Sequence, residues 1–129
     1  MANKRMFTKE VTESDAFLDM PSSSQALYFH LNLNADDEGF VNAPNKIVRN
    51  CGATKDDLNI LLLKNFVLPF ESGVIVIKHW KLHNWIRASR LKKTAYTEEK
   101  NSLKINENGS YSLIEKDDVR QMSDKCQYR

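Results

Sequence analysis

The apolar residues of this chain fall into short blocks whose spacing changes several times, and each change marks an element. Between Glu13 and Met20, Ala16, Phe17 and Met20 stand at helical spacing behind a possible Ser14 cap and ahead of Pro21, which predicts a short helix. A second helix over 22–34 is predicted to open on a serine cap. Ala26, Leu27, His30, Leu31 and Asn34 recur along one face, with Tyr28, Phe29 and Leu33 beside it, so this helix is expected to be central to the core. Asp36, Asp37, Glu38 and Gly39 then read as a solvated polar turn, and Phe40 and Val41 as a very short strand. Asn42 or Ala43 ahead of Pro44 opens a third helix that buries Ile47, Val48 and Cys51 and stops at Gly52. Thr54 caps a fourth helix, with Asp57 three positions on as in a capping box, and Leu58, Leu61, Leu62 and Asn65 share its inner face.

Two helices over about 44–65, joined by a short turn containing Gly52, have helix-turn-helix spacing. The β-prone runs 66–70 and 74–80 flank Glu71-Ser72-Gly73 and predict a hairpin. Beyond it, 81–93 is expected to form a basic helix and Thr97, Glu98 and Glu99 to begin a further helical turn or two. Leu103 and Ile105 alternate against Tyr111 and Leu113 across Asn108-Gly109, a strong hairpin signal over about 103–113. The expected fold is α+β, mainly helical: a winged helix-turn-helix with a short β-hairpin wing at about 66–80, an N-terminal extension and an extra C-terminal hairpin. The domain is expected to span 1–114, and the polar, aperiodic stretch 115–129 reads as a linker or flexible tail.

Charge changes this picture more than composition does. A length of 129 residues suits one domain, and 41% apolar with 28% charged residues is ordinary for a globular chain. The net charge of +2 conceals a segregation: residues 1–77 carry 7 basic and 10 acidic groups, 78–104 carry 8 and 2, and 105–129 carry 4 and 5. A local cationic concentration suggests an anionic partner such as a phosphate backbone, against the plainer reading of a solvated face. No apolar run is long enough to cross a bilayer and the N-terminus lacks a signal-peptide pattern, so a cytoplasmic location, without membrane contact, is expected. Cys51 and Cys126 are far apart and read as free thiols.

The cationic region opens with KHWKLHNWIR, residues 78–87. His79 and His83 are four apart, but no Cys, Asp or Glu lies between 72 and 97 to complete a zinc site, so no metal or other cofactor is expected and the histidines read as structural or phosphate-contacting. Trp80 is expected to end a strand and Trp85 to begin the basic helix, both pinning the segment to the domain, with Trp85 stacking on an exposed base as the functional alternative. DNA contact is assigned to Lys78, Lys81, Arg87, Arg90, Lys92 and Lys93, as phosphate partners. Lys55 and Asn59 are the groove-facing candidates of the second helix of the pair, and Lys46 and Arg49 of the helix before it can reach the backbone. Asp56 and Asp57 suit a helix N-terminus and repel phosphates. Ile60 and Leu63, off the inner face, are assigned to self-association. No glycine-rich phosphate loop or nucleophile motif is present, so catalysis is not expected.

The run from MANKRMFTKEVTESDAFLDMP through ADDEGFV and IKHWKLHNWIR to the ENGSY hairpin, about residues 3–113, resembles the N-terminal domain of phage replisome organisers, the DnaD-like replication initiation proteins of phages of Gram-positive bacteria. The resemblance implies a winged-helix fold, binding to double-stranded DNA of the phage origin, oligomer formation, and recruitment of the host helicase through a helicase loader. A DnaD-type C-terminal domain, usual in that family after a linker, is absent from this sequence. Two other functions stay open: a protein-interaction or oligomerisation module of the replisome without its own specific DNA binding, and a winged-helix transcription regulator.

Overall fold

The computed structural model describes residues 5–84 and 89–114. In chain order the helices are α1 Lys9–Thr12, α2 Asp15–Leu18, α3 Ser22–Leu33, α4 Pro44–Asn50, α5 Lys55–Leu63, α6 Trp80–His83 and α7 Thr97–Asn101. The strands are β1 Phe40–Val41, β2 Val67–Pro69, β3 Ile75–Ile77, β4 Leu103–Ile105 and β5 Tyr111–Leu113. They make a small α+β protein with two antiparallel sheets, of strand order β1-β3-β2 and β4-β5. Among the described residues no helix is long and apolar enough to cross a membrane.

Apolar side chains decide which strand is central. β3 reads Ile-Val-Ile and is buried throughout, pairing Phe40 with Val76 on one side and Leu68 with Val76 on the other. Pro69, which cannot donate to a ladder, sits on the edge strand β2. The core is rich in aromatic rings: Phe17, Tyr28 and Phe66 meet edge to face with centroids 5.3 to 5.7 Å apart, and Phe7 packs on Phe29 at 4.8 Å. Helices α3, α4 and α5 pack on one another, and α5 leads directly into β2 through Asn65, whose φ of 62° turns the chain.

Several local expectations need correction. The inner face of α3 is Ser24, Leu27, Tyr28, Leu31 and Asn32, while Ala26, His30 and Asn34 face solvent. Hydrogen bonds accompany this rotation: Ser24 Oγ donates to the Asp57 carboxylate and Asn32 Nδ2 to Tyr28 O, giving partners to groups that a hydrophobic pattern assigns to the outside, with Asn32 Oδ1 left unpartnered. The residue capping α3 is Pro21, with no side-chain cap, instead of a serine. Asn65 is exposed and lies beyond α5, whose C-cap is Lys64. Of the expected basic helix over 81–93, the described residues show only α6, which stops at His83, and no helix over 89–93. Backbone N–H groups of that segment are held by carboxylates instead, as described next. The expectations for Trp85, Ile86, Arg87, Cys126 and the tail 115–129 lie outside the described residues.

Candidate nucleic-acid interface

The acidic turn 36–38 and the basic segment, about 55 residues apart in the chain, form one structure. Asp37 and Glu38 are each only 4% exposed, so the reading of this turn as solvated is wrong. Asp36 Oδ1 accepts from the N–H groups of Glu38 and Phe40, which closes the turn, and its Oδ2 accepts from Thr94 Oγ1. Asp37 Oδ2 accepts from Lys92 N at 3.1 Å and Glu38 Oε2 from Thr94 N at 2.7 Å. Three consecutive carboxylates thus clasp residues 92–94. Charge-assisted bonds to the N–H groups of Lys92 and Thr94 explain why this segment is not helical, because the interior of an α-helix would have used those donors itself.

The clasp survives burial because its charges are matched. Arg5 Nη2 lies 3.6 Å from Asp37 Oδ1 and donates to Ala35 O, and its guanidinium stands 5.1 Å over the Trp80 ring. Lys100 Nζ meets Glu38 Oε1 at 2.6 Å. Burial by itself raises the Glu38 carboxyl, but the Lys100 ammonium, the Thr94 amide and the charge of Lys81 outweigh it and hold it below the usual carboxylate value. Beneath the turn, Trp80 is 1% exposed and donates its indole N–H to Asp37 O, and Tyr111 donates its hydroxyl to Glu38 O. Burial first, then the charges of Glu38 and Asp36, push the Tyr111 hydroxyl up.

With the backbone of 92–94 tied inward, Lys92 and Lys93 extend into solvent, and Arg90, two residues before them, and Lys81 on α6 are exposed too. Arg87 lies outside the described residues. Lys78 is separate: it is half-buried, lines a recess with Lys64 and His79, and belongs to the root of the β2-β3 hairpin. The tip, Glu71-Ser72-Gly73, is at the other end, where Ser72 Oγ donates to Glu99. The cations therefore sit at the root of the hairpin and not at its tip. Lys46 and Arg49 are exposed on α4, and Lys55 and Asn59 on α5.

Helix α5 settles the role of its acidic pair. Thr54 Oγ1 accepts from Asp57 N while Asp57 Oδ2 accepts from Thr54 N, a complete capping box. Asp57 is buried, and Ser23 and Ser24 donate to its Oδ1. The Ser23 hydroxyl first, then the Thr54 amide, hold its carboxyl below the usual value. Of the pair, only Asp56 faces solvent. With Asp57, Leu58 and Leu61 inward, Lys55, Asn59 and Leu63 fall at i, i+4 and i+8 along the outer face. Leu63 is 81% exposed, whereas Ile60 is half-buried against the core.

Both ring nitrogens of His83 are engaged. Thr8 N can only donate, so His83 Nδ1 accepts from it at 3.0 Å, the ring proton is on Nε2, and Nε2 donates to Tyr28 Oη. Burial, then the charge of His79, lowers the His83 pKa to about 4. Burial, then Lys78, also lowers that of His79, and burial raises the Tyr28 hydroxyl. No three His, Cys, Asp or Glu side chains are grouped to hold a metal ion among the described residues.

Sequence reading missed Asp36, Asp37, Glu38, Thr94, Arg5 and Lys100, because each finds its partners across a long stretch of chain and no local spacing signals them. Comparison of the chain with protein-family models, with curated proteins and with solved structures returns no match.

Proposed function

We propose that this chain is a winged-helix, DNA-binding module of a replication initiator. In this reading it binds double-stranded phage-origin DNA, self-associates, and in a longer protein helps recruit the host helicase loader and helicase, without catalysing a reaction. The clasp carries the nucleic-acid part: its carboxylates spend themselves on backbone N–H groups and on Arg5 and Lys100, leaving the exposed Arg90, Lys92 and Lys93, with Lys81 near Glu38, to meet phosphates. The winged-helix part is supported by the order α3, β1, α4, α5, β2, β3 and by the strand order β1-β3-β2, in which the short strand after the first helix joins the hairpin. The origin, the loader and the helicase come from the resemblance of the sequence to phage replisome organisers.

Titrating the chain with origin-bearing and scrambled duplexes at several salt concentrations tests this. A steep fall of affinity with salt, together with preference for the origin, is expected. A steep fall without preference limits the function to phosphate contact, and absence of binding at low salt overturns the proposal.

The second reading, a module that assembles oligomers or docks a replication protein, is favoured by the outer face of α5. There an exposed Leu63 shares a stripe with Lys55 and Asn59, beside an acidic Asp56 that suits phosphates badly. A protein partner on this face and DNA in contact with Lys55 exclude one another. A transcription regulator would use the same fold, and the origin titration separates it by the sequence it prefers.

A further inference from the structure

Leu63 is 81% exposed, more than any other large apolar side chain among the described residues. It is the last residue of α5, and the exposed Lys64 follows it. Lys64 and the half-buried Lys78 line one recess at the root of the β2-β3 hairpin, with Glu10 on its wall, and neither lysine is in an ion pair among the described residues. A bare leucine thus stands in a cationic setting. Beside the tip of the same hairpin runs a groove of about 440 Å³. Phe70, Leu113 and Ile114 supply its apolar surface, and Glu71, Glu98 and Glu99 its charge. Glu99 accepts from Ser72, and none of these three carboxylates has a cation within ion-pair distance among the described residues.

The two features complement each other in shape and in charge. A cavity of about 150 Å³ admits a benzene molecule, so the groove has room for the branch of a leucine and the stem of a neighbouring lysine. Its carboxylates match the ammonium groups that stand beside Leu63. Within one chain the two cannot meet, because the nearly extended backbone from Phe66 to Phe70 sets root and tip about 13 Å apart. We infer that the groove at the hairpin tip receives Leu63 and Lys64 of a second copy of this chain. The inference rests on the self-association read above and names its receiving surface, so that two different patches meet and not Leu63 with Leu63. Asp56, the acidic residue of the α5 outer face, lies about 10 Å back along the helix axis and stays clear of the rim. One leucine with its flanking cations makes a small contact. Pairing is therefore weak in free solution and takes effect where copies are gathered on one duplex.

The test is sedimentation velocity of the full chain at low salt, up to about 1 mM. The average mass of the wild type is expected to rise with concentration and to fall with added salt. Leu63→Gln is expected to weaken association about ten- to a hundred-fold, as loss of a buried leucine implies, and Glu71→Lys with Glu98→Lys to weaken it from the side of the groove. Glu13→Lys with Glu107→Lys makes the same change of net charge elsewhere and is expected to leave association as it was. Mixing decides the geometry. The Leu63→Gln chain and the groove variant are each expected to be monomeric alone and to form a one-to-one complex together, because one keeps the groove and the other the leucine. If the groove variant misfolds by circular dichroism, Ser102→Trp, which fills the groove from an exposed wall, takes its place. A wild type that stays monomeric removes the self-association reading and the site together. Wild-type association that the groove variants leave unchanged, that the charge control also abolishes, or that mixing fails to restore overturns the groove as the receiving surface while self-association stands.

Discussion

His83 is held neutral first by its burial and then by the charge of His79, and the Thr8 N–H aimed at Nδ1 leaves no place there for a second proton, which sets a pH dependence. Its folded pKa, about 4, lies below the ordinary 6.5. Above 6.5 the folded and unfolded states are both neutral and nothing is lost. As pH falls from 6.5 to about 4 the unfolded chain takes up a proton that the folded one refuses, so stability drops, by up to about 3 kcal/mol, and levels off below. Denaturant titrations across this window are expected to show the fall, and His83→Gln to flatten it. Asp57 and Glu38 act lower: their folded values are depressed, so the stability they contribute is complete above the ordinary carboxylate range and is lost as pH falls through the depressed values. Gly39 makes a second prediction at this scale. It adopts φ of +93°, and a Cβ there meets Trp80 Cγ at 2.6 Å. Gly39→Ala is expected to destabilise by about 3 kcal/mol, combining left-handed strain with overpacking, as read from the denaturation midpoint.

At the scale of elements, short-range signals were legible and long-range ones were not. The Thr54 capping box, the Asn108-Gly109 hairpin and the β3 run can be read from neighbouring residues, and each element is found where its pattern put it. The burial of α3 is not readable in that way, since Ser24 is drawn inward by Asp57, thirty-three residues on. Residues 89–93, the described end of the expected basic helix, carry no helix for the same kind of reason: the helical look came from composition, while the N–H groups of Lys92 and Thr94 are claimed by a turn far back in the chain. Thr94→Val tests the clasp. It removes the hydroxyl shared between Asp36 and Tyr96 N but keeps the shape. It is expected to lower stability by about 1 to 3 kcal/mol and to weaken duplex binding, with the fold intact by circular dichroism. On α5, Leu63→Glu is expected to leave stability within about 0.5 kcal/mol, because the side chain is exposed, and to abolish concentration-dependent association in light scattering. Association unchanged in that variant removes α5 from the interface.

Across the whole molecule, the contrast between a mildly acidic first part and a strongly cationic stretch is visible in a count of charges. What the count hides is that the two are joined. Asp37 and Glu38, which contribute to the negative tally, are buried under the segment whose charge they would otherwise oppose, Asp36 is half-buried beside them, and Lys100 and Arg5 are spent on Glu38 and Asp37. The charge available to a partner is thus more concentrated around Lys81, Arg90, Lys92 and Lys93 than the sequence suggests. The central claim is that these side chains meet phosphates, and the salt dependence of duplex binding tests it most directly. Each phosphate contact contributes about 0.9 to the slope of log affinity against log salt, so replacing Arg90, Lys92 and Lys93 by Ala is expected to reduce the slope by about 2 to 3 with the fold unchanged. An unchanged slope in that triple variant would contradict the account and leave the basic segment a solvated face.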